Sequence, residues 1–122
     1  MQLNQVTLEV DNIDQARAFY LTLGATLIVD TPHYLRFSPD AGASFSLVKA
    51  DKVRAHGAVI YFECQHLDQQ VEALQAKGLT FEQRPTDQPY LWREAILYDP
   101  SGNKIKLYWA GENRLNPPWR VK

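Results

Sequence analysis

The chain writes one pattern twice, and that repetition limits its fold more than any other feature. "VTLEVDNIDQARAFYLTLGAT" (Val6 to Thr26) aligns with "IYFECQHLDQQVEALQAKGLT" (Ile60 to Thr80) at a spacing of 54 residues. Glu9 returns as Glu63, Asp14 as Asp68, Gln15 as Gln69, Gly24 as Gly78 and Thr26 as Thr80; Leu8/Phe62 and Ile13/Leu67 keep their apolar character. After a longer loop, Gly42/Gly102, Phe45/Ile105 and Leu47/Leu107 pair at a spacing of 60. A shared register that keeps glycines and helix starts in place marks a duplicated unit.

Each copy reads as strand, helix and three strands. "QVTLEV" alternates polar and apolar residues, the period of a half-buried strand. Asn12 is placed to cap a helix whose residues Ala16, Phe19, Tyr20 and Leu23 share one face, and Gly24 supplies the left-handed stop. "ATLIVD", "HYLRFS" and "ASFSLV" complete the first set of strands. In the second copy "GAVIYFEC" is the strand, and "HLDQQVEALQAKG" is a helix burying Leu67, Val71 and Leu74 and ending at Gly78. "LTFEQR", "REAILYD" and "KIKLYW" then follow as strands. The fold class is α+β, with two tandem βαβββ modules forming a curved mixed sheet around a cleft. One domain is expected over residues 1–122: module 1 at about 1–52, module 2 at about 56–110 and a tail at 111–122.

A module of this kind covers one sheet face with its helix and leaves the other open. Strand alternation puts Val6, Leu8 and Val10 against the helix. Gln5, Thr7 and Glu9 then line the open face, with Ser44, Ser46 and Val48. In the second module Val59, Tyr61 and Glu63 do so, with Lys104, Lys106 and Tyr108.

Composition narrows the classes of function. At 122 residues the chain has room for one core. A net charge of −1, with lysines and arginines scattered, points away from nucleic acid and membrane surfaces. No apolar stretch approaches the ~20 residues that span a bilayer. The start "MQLNQVTLEV" lacks the basic and apolar regions of a signal peptide, and the lone Cys64 suits a reducing cytoplasm. A cytoplasmic protein is expected.

The paired modules, "VTLEVDNIDQARAFYLTLG" and the ending "DPSGNKIKLY" resemble the vicinal oxygen chelate superfamily over roughly Leu3 to Tyr108. That superfamily includes glyoxalase I, extradiol dioxygenases, methylmalonyl-CoA epimerase, and fosfomycin- and bleomycin-resistance proteins. The resemblance implies a homodimer and a small-molecule ligand held in a cleft. In its enzymes a divalent metal sits on His or Gln and Glu at matched places in the two modules. Those places fall here on Gln5, Ser46, Val59 and Lys106. Gln5 alone is a plausible ligand, and Lys106 carries a positive charge to where a cation would sit. His33, His56 and His66 fall in a turn, a linker and a helix start, away from the open faces. The expectation is therefore no metal and no cofactor.

Three roles remain open for Lys106: neutralising Glu9 or Glu63, binding a ligand's anionic group, or acting as an amine of depressed pKa. Tyr61 and Tyr108, with Tyr90 and Trp92 from the loop "DQPYLWRE", offer flat walls for an aromatic ligand; the two loop residues equally suit a dimer contact. The expected ligand-binding set is Gln5, Thr7, Ser46, Tyr61, Tyr90, Trp92, Lys106 and Tyr108. No catalytic residue is assigned. Arg36 and Arg93 read as solvated strand-edge residues ahead of anion binders, Cys64 as an inert core thiol, and Glu9 and Glu63 as rim residues or lysine partners ahead of an acid–base pair. The tail "AGENRLNPPWRVK" contains Pro-Pro, which excludes a helix or central strand; it is expected on the surface with Trp119 packed down, or on a partner subunit. The function expected is metal-free binding of an aromatic, neutral or anionic molecule. The alternative is a divergent lyase, isomerase or dioxygenase with displaced metal ligands.

Overall fold

Both helices stop in the same way, at the repeat spacing. Beyond α1 (Ile13–Leu23), Gly24 takes φ 111° and the Ala25 amide donates to the Tyr20 carbonyl. Beyond α2 (Leu67–Ala76), Gly78 takes φ 98° and the Leu79 amide donates to the Leu74 carbonyl, the same bond 54 residues on. Positive φ is the reason glycine recurs at both stops. The helix starts differ. Asn12 Oδ1 accepts from the Gln15 amide at 2.9 Å, whereas the cap residue of α2, His66, makes no side-chain capping bond.

The computed structural model describes residues 3–40, 42–54 and 57–121; the linker His56 lies outside them. The strands are β1 (Gln5–Val10), β2 (Leu27–Asp30), β3 (Tyr34–Asp40), β4 (Ala43–Lys49), β5 (Val59–Glu63), β6 (Gln83–Asp87), β7 (Arg93–Tyr98) and β8 (Lys104–Trp109). They form two four-stranded sheets, β1-β4-β3-β2 and β5-β8-β7-β6, which are one topology written twice. In the first, β1 runs parallel to β4, while β3 is antiparallel to both β4 and β2. This is the α+β fold of two βαβββ modules. The chain divides into two compact units, residues 1–58 with 98–104 and residues 59–97 with 105–122.

Unit 1 has an aromatic core. Tyr20 of α1 meets Phe37 and Phe45 with ring centroids 5.5 and 5.2 Å away, and those two stack at 5.2 Å. The Tyr20 hydroxyl is buried among these apolar groups, so it requires an acceptor. It donates to Asp99 Oδ2 at 2.8 Å. Asp99, in the turn between β7 and β8, also accepts from the Ser101 and Asn103 amides and from Asn103 Nδ2. Asn103 Nδ2 donates as well to the Glu9 carbonyl of β1, which fastens this turn within unit 1. Unit 2 is aliphatic instead, with Leu67, Val71, Leu74, Leu97, Ile105 and Leu107 buried.

Four local expectations need correction. The strand expected at "LTFEQR" is β6 and begins only at Gln83. Pro85 fits inside β6 because that strand is a sheet edge with a register shift between Gln83 and Thr86. Val6 points to the helix side yet is 44% exposed, being near the start of an edge strand. The tail does contain a short 3-10 helix, Gly111–Arg114, which fits because it ends before Pro117 and Pro118; Trp119 is 59% exposed rather than packed down.

Candidate functional site

The face of each sheet turned away from its own helix collects the chemistry. In unit 2, Lys106 on β8 reaches Glu94 on β7, with Nζ 3.1 Å from Oε1. The Glu94 side chain is 2% exposed and that of Lys106 15%, so the pair is largely withdrawn from water. Tyr90 donates its hydroxyl to the same Oε1 at 2.7 Å. Burial alone would lower the lysine pKa, but the hydrogen bond and charge of Glu94 outweigh it and the pKa is raised. Lys106 is therefore a firmly protonated ammonium, not a depressed-pKa amine. Its partner is neither Glu9 nor Glu63. Glu9 is held by Arg54, through Nε, Nη2 and the backbone amide, and Glu63 faces Arg114 at 3.9 Å.

Aromatic rings surround this pair. Tyr108 stacks on Trp92 with centroids 4.8 Å apart and meets Tyr61 edge-on at 5.5 Å. Trp92 makes edge contacts with Tyr61 at 6.0 Å and Tyr90 at 6.2 Å. The Lys106 ammonium lies 5.5 Å from the Tyr61 ring centroid, within cation–π range. Trp92 Nε1 donates to the Asn113 carbonyl, which ties the loop to the 3-10 helix. Tyr61, Tyr90, Trp92, Lys106 and Tyr108 thus come together in one cluster. The Tyr90 phenol pKa is raised by burial and by Glu94, and that of Tyr108 by burial and by Glu63.

Gln5 and Ser46 meet in unit 1. Gln5 Nε2 donates to Ser46 Oγ at 2.7 Å and more weakly to the Val6 carbonyl, while Gln5 Oε1 accepts from Ser44. Ser46 is fully buried beneath its neighbours and bonded to the Tyr34 hydroxyl. Arg36 donates to that hydroxyl through Nε at 3.0 Å and Nη2 at 2.8 Å. Arg36 is thus solvated but held in place. Thr7, opposite Ser46 in the β1–β4 register, is exposed at the edge of a hollow of about 450 Å³ that Glu9 and Arg54 also border. Arg93 is not a free solvated residue: it forks onto Asp68 at 2.9 Å and pairs with Asp87 at 3.0 Å, and these carboxylates raise its pKa. Cys64 is half-buried, and burial followed by Glu63 pushes its thiol pKa up, as expected of an inert thiol.

Comparison with known proteins agrees with this architecture. The model of the Glyoxalase/Bleomycin resistance protein/Dioxygenase superfamily matches residues 2–107. The chain belongs to that superfamily. Among solved structures, a glyoxalase/bleomycin resistance protein/dioxygenase from Nocardioides superimposes with a TM-score of 0.80 at 20% identity, over 100% of this chain and 90% of that one. A lactoylglutathione lyase from Agrobacterium tumefaciens gives 0.73 at 16% identity, covering 88% of this chain and 92% of its own. A bleomycin-binding protein complexed with bleomycin gives 0.71 at 15% identity, covering 89% and 98%. At these identities the likeness is one of fold. No curated protein matches the chain in sequence.

The superfamily's metal does not fit the residues at its positions. In unit 1, Gln5 is bonded to serines and Ser46 is buried under Tyr34. In unit 2, Val59 has no donor atom and Lys106 places a cation where a metal would need a carboxylate. No group of three or more His, Cys, Asp or Glu residues placed to hold a metal occurs among the described residues. Sequence reasoning missed Glu94 and Tyr34. Each sits on the open face of the strand beside the last strand of its module, and the two correspond at the 60-residue spacing.

Proposed function

We propose that the chain is a metal-free small-molecule binding protein that holds a planar organic ligand against the aromatic face of unit 2. The observation that carries this reading is the gathering of Tyr61, Tyr90, Trp92 and Tyr108 around an ion pair with no net charge. Stacked and edge-on rings offer a flat apolar wall, and a few fixed polar atoms orient what lies against it. Lys106 has three donors and spends one on Glu94, so others remain for a ligand's carbonyl or anionic oxygen. That a bleomycin-binding protein shares the fold supports a binding role for such a scaffold. The same reading takes the protein as a cytoplasmic homodimer, which light scattering checks through the subunit count.

A thermal-shift and tryptophan-fluorescence screen with small aromatic acids, antibiotics and glutathione conjugates tests the proposal. A ligand from this set is expected to quench Trp92, and Trp92→Ala is expected to weaken it by about tenfold or more. Binding that survives both Trp92→Ala and Tyr108→Ala would overturn the assignment. The second reading, a divergent lyase, isomerase or dioxygenase, has Glu94 as its best remaining carboxylate, but Lys106 and Tyr90 both bind the same oxygen of it. Stoichiometric metal in protein purified without chelators would favour that enzyme over the binding protein.

A further inference from the structure

We infer that the open face of unit 1 carries an oxyanion subsite in which Arg36, oriented by Tyr34 over the buried Ser46, takes a carboxylate group of a small molecule. The first observation is charge. Arg17, Arg54, Arg93 and Arg114 each face at least one carboxylate, and Lys106 faces Glu94. Arg36 forms no ion pair among the described residues; its guanidinium is steered by a neutral phenol, with its centre 5.4 Å from the Tyr34 ring centroid. Arg84 and Arg120 also form no ion pair within 4.0 Å among the described residues, but Arg120 bonds to Asn116 in the tail and Arg84 sits exposed on edge strand β6.

The second observation is a surplus of protons. Tyr34 and Ser46 have two hydroxyl protons and share one hydrogen bond. Their other partners are all donors: Arg36 Nε and Nη2 on the Tyr34 oxygen, and Gln5 Nε2 on the Ser46 oxygen. As placed, the Gln5 amide directs Nε2 to both the Ser46 hydroxyl and the Val6 carbonyl, with Oε1 accepting from Ser44. One hydroxyl proton of the pair is therefore left without an acceptor in the network. A cluster in which every free group is a donor, topped by a guanidinium, is the chemistry that recognises an oxyanion.

The third observation is geometry. Both bonds to Tyr34 use the Nε–Nη2 side of the guanidinium, which leaves the Nη1–Nη2 end, the other two-pronged face, free for a planar carboxylate. Arg36 lies opposite Ser46 across β3 and β4, so guanidinium and hydroxyls project on one side of the sheet. Glu9, a carboxylate on the same face, is committed to Arg54. Hydrogen bonds with Ser46 first and Arg36 second hold the Tyr34 phenol below its ordinary pKa, in keeping with an electropositive surround.

The test follows the Arg36 side-chain N–H signal by NMR in the full ¹⁵N-labelled chain during titration with sodium acetate, inorganic phosphate or sodium chloride at matched ionic strength. Acetate is expected to move the signal to saturation and chloride is not. Arg36→Lys, which keeps the charge and loses the fork, should weaken acetate by about tenfold, read on the Tyr34 ring signals. Arg36→Gln should abolish saturation there with the thermal midpoint held. Saturation by phosphate as well as acetate widens the site to oxyanions generally and still supports it. Equal drift with acetate and chloride, or a saturable Tyr34 response that persists in Arg36→Gln, would overturn the subsite. None of these readouts depends on the aromatic cluster of unit 2.

Discussion

Ser46 and Lys106 hold the same place in the two copies, and so do Tyr34 and Glu94, yet the two pairs are chemical opposites. In unit 1 a buried serine and a tyrosine form a neutral hydrogen-bond chain that ends in an unpaired guanidinium. In unit 2 a lysine and a buried glutamate cancel one another under a cover of aromatic rings. The scaffold repeats because backbone demands repeat. A left-handed stop needs glycine in both copies, and the Ala25–Tyr20 bond has its twin in Leu79–Leu74. The open faces carry no such demand, so one became a donor-rich polar surface and the other an aromatic wall. Lys106, the residue least expected in a metal-binding fold, is accounted for inside its own module by Glu94.

The largest effect expected from this contrast concerns Glu94. Glu94→Ala leaves Lys106 charged, mostly buried and without its carboxylate, and should cost about 3 kcal/mol or more in denaturant unfolding. The joint replacement Glu94→Leu with Lys106→Met should recover most of that loss, because burying a pair offsets little more than its own desolvation. Ser46→Ala in unit 1 breaks neutral hydrogen bonds and should cost only about 1 kcal/mol. Equal losses for Glu94→Ala and Ser46→Ala would erase the distinction between a charged and a neutral network. The pH dependence has a definite sign. The Lys106 pKa is raised on folding, with the Glu94 bond and charge outweighing desolvation. Its contribution is therefore complete below the ordinary lysine value and is lost as pH rises through the higher folded value. Alkaline unfolding should be shallower in the double variant.

Tyr20 sharpens the comparison of cores, since its counterpart 54 residues on is Leu74. Tyr20→Phe keeps the ring and removes the bond to Asp99, which retains the Ser101 and Asn103 donors. A loss of about 1.5 kcal/mol is expected by chemical denaturation. A neutral result would mean that the Ser101 and Asn103 donors alone satisfy Asp99.

These outcomes also mark what the sequence conveys. The duplicated register carries the βαβββ order, the helix faces and both glycine stops, since each follows from periodicity and local backbone geometry. Alternation likewise places Lys106, Tyr61 and Tyr108 on one face. Glu94 escapes because pairing it with Lys106 requires the register between β7 and β8, which no local pattern states. The signal was present, though: Glu94 stands 60 residues after Tyr34, and alternation through buried Ala95 and Leu97 turns it to the open face. The start of β6 escapes for another reason. "LTFEQR" has strand-like composition throughout, so nothing in it marks Gln83 as the residue where the strand starts.

A smaller contrast lies at the helix starts, where Asn12 and His66 correspond. Asn12→Ala removes the bond to the Gln15 amide and should cost about 1 kcal/mol. His66→Ala, with no capping bond to lose, should stay within about 0.5 kcal/mol of the parent. Paired thermal or denaturant melts of the two variants check this, and equal losses would show that His66 caps by means other than a side-chain bond.

The finest expected effect is spectroscopic and separates the two open faces by their phenols. Hydrogen bonds from Ser46 and Arg36 lower the Tyr34 pKa, whereas burial and Glu94 raise that of Tyr90, and burial and Glu63 raise that of Tyr108. An ultraviolet titration of folded protein should therefore show Tyr34 ionising ahead of Tyr90 and Tyr108. Tyr34→Phe should remove this early step, and Arg36→Gln should move it upward by withdrawing both guanidinium bonds. An early step that survives Tyr34→Phe would assign the electropositive environment to another phenol. The donor-rich character of the unit 1 face would then have to rest on Arg36 alone, without the hydroxyl pair.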